Sequence, residues 1–256
     1  MSKLPKEHKF IDLSDYGRPF AKVIANALKN TTFTPIHVTI AFIIAGIFAI
    51  YCIVHSHYWL AAFFLILKSI LDAADGELAR VKQKPSYTGR YLDSVADILL
   101  NALFFIAIGY IASTPIWICI GAFLGLQLQG TLYNYYYVIL RNKFDGDTTS
   151  RVFENKTPIA LPGEKQKHVN ILFGMYKVLY GAFDKTIYAL DSNAHKGAAL
   201  PKWFMTSVST FGLGFQLLLI AILLVLNLKS YILPFFLGYT LMVLVFITIR
   251  KILYKS

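Results

Sequence analysis

Charge is scarce in this chain: Asp, Glu, Lys and Arg together make up 15% of its 256 residues, against 56% apolar residues. Soluble domains carry about 25% charged residues, so an ordinary soluble globule is excluded. Acids are the scarcest, 14 against 25 Lys and Arg, which leaves a formal net charge of +11. That excess invites a nucleic-acid reading, but no basic run interleaves with aromatics as a binding groove requires. No nucleic-acid partner is expected. The basic residues instead stand beside apolar runs, where the positive-inside rule and attraction to anionic lipid place them. Cysteine is nearly absent, and Cys52 and Cys119 both lie within apolar runs. A disulfide framework or a thiolate zinc site is therefore excluded. The charged N-terminus also lacks the apolar core of a cleaved signal peptide, so the first span is expected to act as its own insertion signal.

What the chain has is long apolar runs. They predict an all-α integral membrane protein with six transmembrane helices preceded by an amphipathic interfacial helix. The expected spans are Ile36–His55, Tyr58–Ala73, Gly89–Ile111, Pro115–Leu140, Trp203–Leu226 and Tyr231–Ile249. Twenty residues at the helical rise cover about 30 Å, the hydrocarbon thickness of a bilayer. Residues 1–15 read as a mobile polar tail. From Arg18 to Asn30, Phe20, Val23, Ile24, Ala27 and Leu28 share one face, which fits a helix lying in the membrane interface, with a soluble core helix as the alternative. Val169–Leu190 is apolar but interrupted by Lys177, Asp184 and Lys185, and reads as interfacial. His55 and His57 have no third ligand nearby and predict no metal site. Nearly all Lys and Arg fall in the tail, the loops after spans two and four, and the C-terminus; the other connections hold only Lys229. Both termini are thus expected in the cytoplasm of a multi-pass cell or inner membrane protein. The whole chain, 1–256, is expected to form one domain: 1–35 tail and interfacial helix, then a bundle over 36–252 with a cytoplasmic segment at 141–202.

The stretch that stands out runs from Asp72 to Asp97, between spans two and three. Asp72 and Asp75 are spaced i,i+3, and Asp93 and Asp97 i,i+4, so each pair shares a helix face. Uncompensated carboxylates at mid-bilayer cost about 2.5–3.5 kcal/mol each on insertion scales. Something positive must hold them, and two divalent cations fit best, because magnesium prefers oxygen ligands and leaves room for substrate phosphates. Two ions flanking a pyrophosphate would stabilise an in-line displacement at phosphorus. Gly76 permits close approach of a ligand to the backbone, and Arg80 offers a donor fork suited to phosphate. The competing reading makes these acids salt-bridge partners of Arg80, Lys82, Lys84 and Arg90. Glu77 reads as a solvated helix-end charge.

Written out, Asp72-x2-Asp75-Gly76-x2-Ala79-Arg80-x8-Gly89-x3-Asp93-x3-Asp97 matches every fixed position of a known signature. The stretch resembles that of the CDP-alcohol phosphotransferases, membrane enzymes that build phospholipid headgroup linkages. The resemblance implies that Asp72, Asp75 and Asp93 ligate one Mg2+ or Mn2+ ion, and Asp72, Asp93 and Asp97 a second. It makes Asp97 the general base, and Gly76, Arg80 and Ser86 the residues that hold the CDP moiety. It further implies phosphatidyl transfer from CDP-diacylglycerol to a small alcohol with release of CMP, in a protein that forms homodimers. CDP-choline or CDP-ethanolamine with diacylglycerol as acceptor shares the motif. A cation transporter is the non-enzymatic alternative, but it would spread its acids along several spans. Where family members often carry Thr-Pro-Asn, this chain has Thr34-Pro35-Ile36, so His37 or Thr39 must supply the missing hydrogen bond, or Thr34 and Thr39 serve as caps. Arg141, Lys143 and Arg151 lie on the side where a phosphorylated acceptor would bind, as positive-inside placement also predicts. The Tyr133–Tyr137 run reads as an interfacial aromatic belt, or else as the lining of an acceptor pocket.

Overall fold

A computed structural model describes residues 4–144, 156–196 and 199–253, which are helical with no strand among them. The helices are α1 (Arg18–Leu28), α2 (Pro35–Val54), α3 (Tyr58–Val81), α4 (Tyr87–Ile111), α5 (Ile116–Lys143), α6 (Gln166–Leu190), α7 (Lys202–Val208), α8 (Leu213–Val225), α9 (Lys229–Tyr239) and α10 (Leu241–Leu253). By length and composition, α2, α4, α5 and the α9–α10 pair can each cross a membrane, and α7 with α8 adds a fifth if that bent pair is one span. Large apolar side chains face outward along them, among them Ile47, Leu103, Ile120 and Ile222. So much exposed apolar surface marks contact with lipid. Trp59, Tyr110, Trp117 and Tyr231 are also exposed and border the turns at the end of the bundle away from the aspartates. Amphipathic rings of this kind settle at a membrane–water boundary.

The bundle core joins α2, α3, α4, α5, α8 and α9 through Phe42, Leu65, Phe104, Leu126, Leu217 and Phe236. At Gly46 a Cβ would stand 2.7 Å from Leu100 Cδ1, so glycine lets α2 approach α4 closely. Because α2 also packs along α3, it sets the gap across which the aspartates of α3 and α4 face each other.

Several expectations need correction. The helix of the second span does not end at Ala73: α3 continues to Val81 and closes with Gln83 at φ 53°. Ala74 and Leu78 hold that extension by burying against Ala21 and Ala25 of α1 and Val38 of α2. The expected fifth span falls on the α7–α8 pair. It breaks at Gly212, whose backbone is extended, and bends by 55°.

Residues 1–15 are not a free tail over their described part. Ser14 packs against Gly212 and Gly214, the Leu13 N–H donates to Ser209 Oγ at 2.9 Å, and the Tyr133 hydroxyl donates to Asp12 Oδ2 at 2.5 Å. The Tyr133–Tyr137 run is not a lipid-facing belt either. Tyr135 and Tyr136 are buried, and their hydroxyls donate to the carbonyl and the carboxylate of Asp191 at 2.9 and 2.7 Å. In each case a contact between residues far apart in sequence satisfies a polar group that local pattern leaves open.

α1 docks on α3 through Ala21 and Ala25, while Phe20, Val23 and Ala27 remain exposed in a row. α6 is one unbroken helix that packs on α4 and α5, with Phe173 and Tyr176 against Tyr91 and the Tyr180 hydroxyl donating to the Ser94 carbonyl at 2.9 Å.

Candidate active site

Asp72 and Asp75 lie on consecutive turns of α3, and Asp93 and Asp97 one turn apart on α4. The two helices bring one carboxylate oxygen each of Asp72, Asp75 and Asp93 within 4.8 Å of one another. Asp97 stands outside that trio and forms an ion pair with Lys68. Asp93 Oδ1 is buried and has no hydrogen-bond partner. A buried carboxylate oxygen left unpaired is costly, and a hard divalent cation with oxygen ligands fits this trio.

The salt-bridge reading of the acids meets a different arrangement. Arg80 pairs with Glu77 at 2.9 Å, and Lys82 donates to the carbonyls of Thr31 and Phe33 at 2.8 and 2.5 Å. A cation that does reach the acids is Lys68, one turn before Asp72, whose Nζ also lies 3.4 Å from Asp72 Oδ2. Its signal in the sequence is a lone lysine in an apolar run, four residues before an aspartate. Glu77 is not solvated. It is buried between Arg80 and Arg18, whose Nη1 is 3.1 Å away. That pairing ties α1 to α3 and turns the Arg80 guanidinium over Gly76, where a Cβ would meet Nη2 at 3.5 Å.

Thr34 is the N-cap of α2, and its N–H donates to His37 Nδ1 at 2.9 Å. Thr39 does not cap. Its buried hydroxyl donates to Asp75 Oδ2 at 2.7 Å and so orients a member of the trio. Partners of this kind commonly account for 10–100-fold in metal affinity. Thr39→Val should therefore raise the half-saturating Mn2+ concentration about 10–100-fold, and lower the melting temperature in EDTA, because the buried Asp75 carboxyl loses its hydroxyl partner. An unchanged Mn2+ titration would refute this role. Ile36 packs beside Gly89 and offers no hydrogen bond in place of an Asn.

Ser86 is the N-cap of α4: its Oγ accepts from the Gly89 N–H at 2.8 Å and donates to Glu164 Oε1 at 2.7 Å. A hydroxyl so engaged keeps one acceptor lone pair for a ligand. Glu164 also accepts from the N–H groups of Thr88 at 2.7 Å and Leu161 at 3.1 Å, a partner of the helix start that local spacing does not announce. Burial pushes the Glu164 carboxyl up, but the hydrogen bonds from Ser86, Thr88 and Leu161 outweigh it and hold the carboxyl below its ordinary value. A depressed carboxyl contributes stability that is present above its unfolded pKa, about 4.3, and is lost as pH falls through the folded value. The melting temperature of wild type should thus fall more steeply than that of Glu164→Gln as pH drops below about 4.3. Parallel curves would exclude Glu164 as the cause.

Of the basic residues considered for a phosphorylated acceptor, Arg141 is buried with its guanidinium 5.0 Å from the Tyr137 ring centroid, and Arg151 lies outside the described residues.

Two comparisons bear on this arrangement. The bifunctional IPC transferase and DIPP synthase of Thermococcus kodakarensis is 33% identical over 122 residues, which covers 46% of this chain and 27% of that relative. The chain thus spans about a quarter of the relative's length. The family model described as CDP-alcohol phosphatidyltransferase matches residues 32–161, a range that begins before α2 and takes in all four aspartates, Gly76, Arg80 and Ser86. The chain belongs to the CDP-alcohol phosphatidyltransferase family.

Proposed function

We propose that this protein is an integral membrane transferase that moves a phosphatidyl group from CDP-diacylglycerol to a small alcohol and releases CMP. The observation that carries the reading is the convergence of Asp72, Asp75 and Asp93 beside Gly76 and Arg80. Asp72, Asp75 and Asp93 would hold a divalent cation, Mg2+ or Mn2+, and the family pattern adds a second ion on Asp72, Asp93 and Asp97. A cation held there would neutralise charge on the pyrophosphate as it develops. Arg80 binds a phosphate oxygen, Gly76 leaves room for the nucleotide, and the spare lone pair of Ser86 accepts from the CDP moiety. The acceptor hydroxyl attacks the phosphorus distal to cytidine, the bond from that phosphorus to the bridging oxygen breaks, and Asp97 takes the hydroxyl proton.

The chain is one membrane domain, and α3 makes the sixth crossing. At 24 residues it is long enough, about 36 Å at the helical rise, although Lys68, Asp72, Asp75, Glu77 and Arg80 make it less apolar than the other spans. The exposed row Phe20, Val23 and Ala27 fits α1 lying in the interface. Both termini and the aspartates then face the cytoplasm, with the ring of Trp59, Tyr110, Trp117 and Tyr231 at the opposite boundary. Clustering of the acids at one end of the bundle disfavours a cation pathway, which needs ligands spread through the membrane.

Purified protein with Mg2+, CDP-diacylglycerol and single alcohols (serine, glycerol 3-phosphate, inositol, inositol phosphate, ethanolamine, choline) should release CMP with one of them. Release only from CDP-choline or CDP-ethanolamine with diacylglycerol would reverse donor and acceptor. No release from any donor would refute the reading.

A further inference from the structure

Lys68 is fully buried, and its Nζ lies 4.8 Å from the ring centroid of Phe42. Its ammonium is paired with Asp97 Oδ1 and stands 3.4 Å from Asp72 Oδ2. Asp72 and Asp97 are two of the three carboxylates that the family pattern assigns to a second ion. The oxygens that converge are those of Asp72, Asp75 and Asp93, and Asp97 is turned to the amine instead.

We infer that Lys68 is a built-in second cation of this centre, so that the centre binds one divalent ion, on Asp72, Asp75 and Asp93. The inference rests on the divalent-metal reading of the proposed function for Asp72, Asp75 and Asp93, and departs from the family pattern in placing Lys68 where that pattern adds a second ion. Position supports it first: the amine lies between the carboxylates that a second ion would have to bridge. Enclosure supports it as well. Lys68 has no exposed surface, so its ammonium is held among the carboxylates and away from water, and an ion entering between Asp72 and Asp97 would have to share their space with that positive charge. An ammonium is a point charge with three N–H donors and no open coordination positions. It can orient Asp97 and offset its charge, but it cannot bridge that carboxylate to a substrate oxygen as magnesium does. The pyrophosphate would then be held by one ion and Arg80. Lys68 acts as a positioning residue for Asp97.

The test counts ions without any turnover. Metal-stripped protein in detergent is titrated with Mn2+, and free ion is followed by electron paramagnetic resonance. Wild type and Lys68→Arg, which keeps a cation in place, should bind one Mn2+ per chain. Lys68→Met, which keeps the length and removes the charge, should bind two. Two ions on wild type would overturn the role of Lys68 and leave the metal reading intact; no ion on any form would overturn both. One ion on Lys68→Met would likewise overturn the role of Lys68, and if that variant does not fold, Lys68→Gln serves in its place.

Discussion

Asp97→Asn should lower kcat for CMP release by about 10²–10⁴-fold, the usual contribution of a positioned acid–base group. Asparagine keeps the shape and can still accept a hydrogen bond from Lys68, so the Lys68 link between α3 and α4 is retained. What it loses is the ability to take the acceptor hydroxyl's proton. The loss should fall on kcat at saturating metal, with the Mn2+ affinity of Asp72, Asp75 and Asp93 nearly unchanged. Asp93→Asn should behave differently. It weakens one of the three converging ligands, so Mn2+ binding itself should fail along with turnover. Size-exclusion profiles and melting curves in detergent establish that both variants fold. If Asp97→Asn turned over within a few-fold of wild type, another group would have to be the base.

Arg250→Met should destabilise the bundle by about 3–5 kcal/mol, the range for leaving one member of a buried ion pair uncompensated. Arg250 on α10 is 2% exposed, and Asp191, at the end of α6, is 1% exposed. The two are paired at both guanidinium positions, with Nε 2.8 Å from Asp191 Oδ2. Removing the arginine leaves the Asp191 carboxylate with the Tyr136 hydroxyl and little else to offset its desolvation. The double variant Asp191→Leu with Arg250→Met removes both charges and should recover most of the loss, because a buried pair replaced by apolar groups of similar volume is often neutral or stabilising. Denaturant unfolding in micelles measures all three forms. If the double variant is no more stable than Arg250→Met alone, the lost stability comes from packing and not from the unpaired charge.

The chemistry of the centre was legible because it is written locally. Spacings of three and four residues put Asp72 with Asp75 and Asp93 with Asp97 on shared helix faces before any tertiary contact is considered. The bounds of the long apolar helices α2, α4 and α5 were legible for a related reason. Apolar length and flanking charge respond to the bilayer, a solvent whose effect each segment feels by itself. The extension of α3 through Val81 was misread because Asp72, Asp75, Gly76 and Glu77 resemble a helix end. Their cost is met by partners in other elements: Thr39 for Asp75, and Arg18 for Glu77.

By itself, then, the sequence determined that this is a helical membrane protein with a patterned aspartate centre. Tertiary structure alone decided which cation meets Asp97, which residue orients Asp75, and what occupies the N-terminus of α4. It also decided that the segment before α1 docks at the Gly212 break. Each of these joins residues far apart in the chain, Leu13 to Ser209 and Ser86 to Glu164 among them. A short-range periodicity carries no information about such pairs. They are fixed by the requirement that every buried polar group find a partner once the helices have packed.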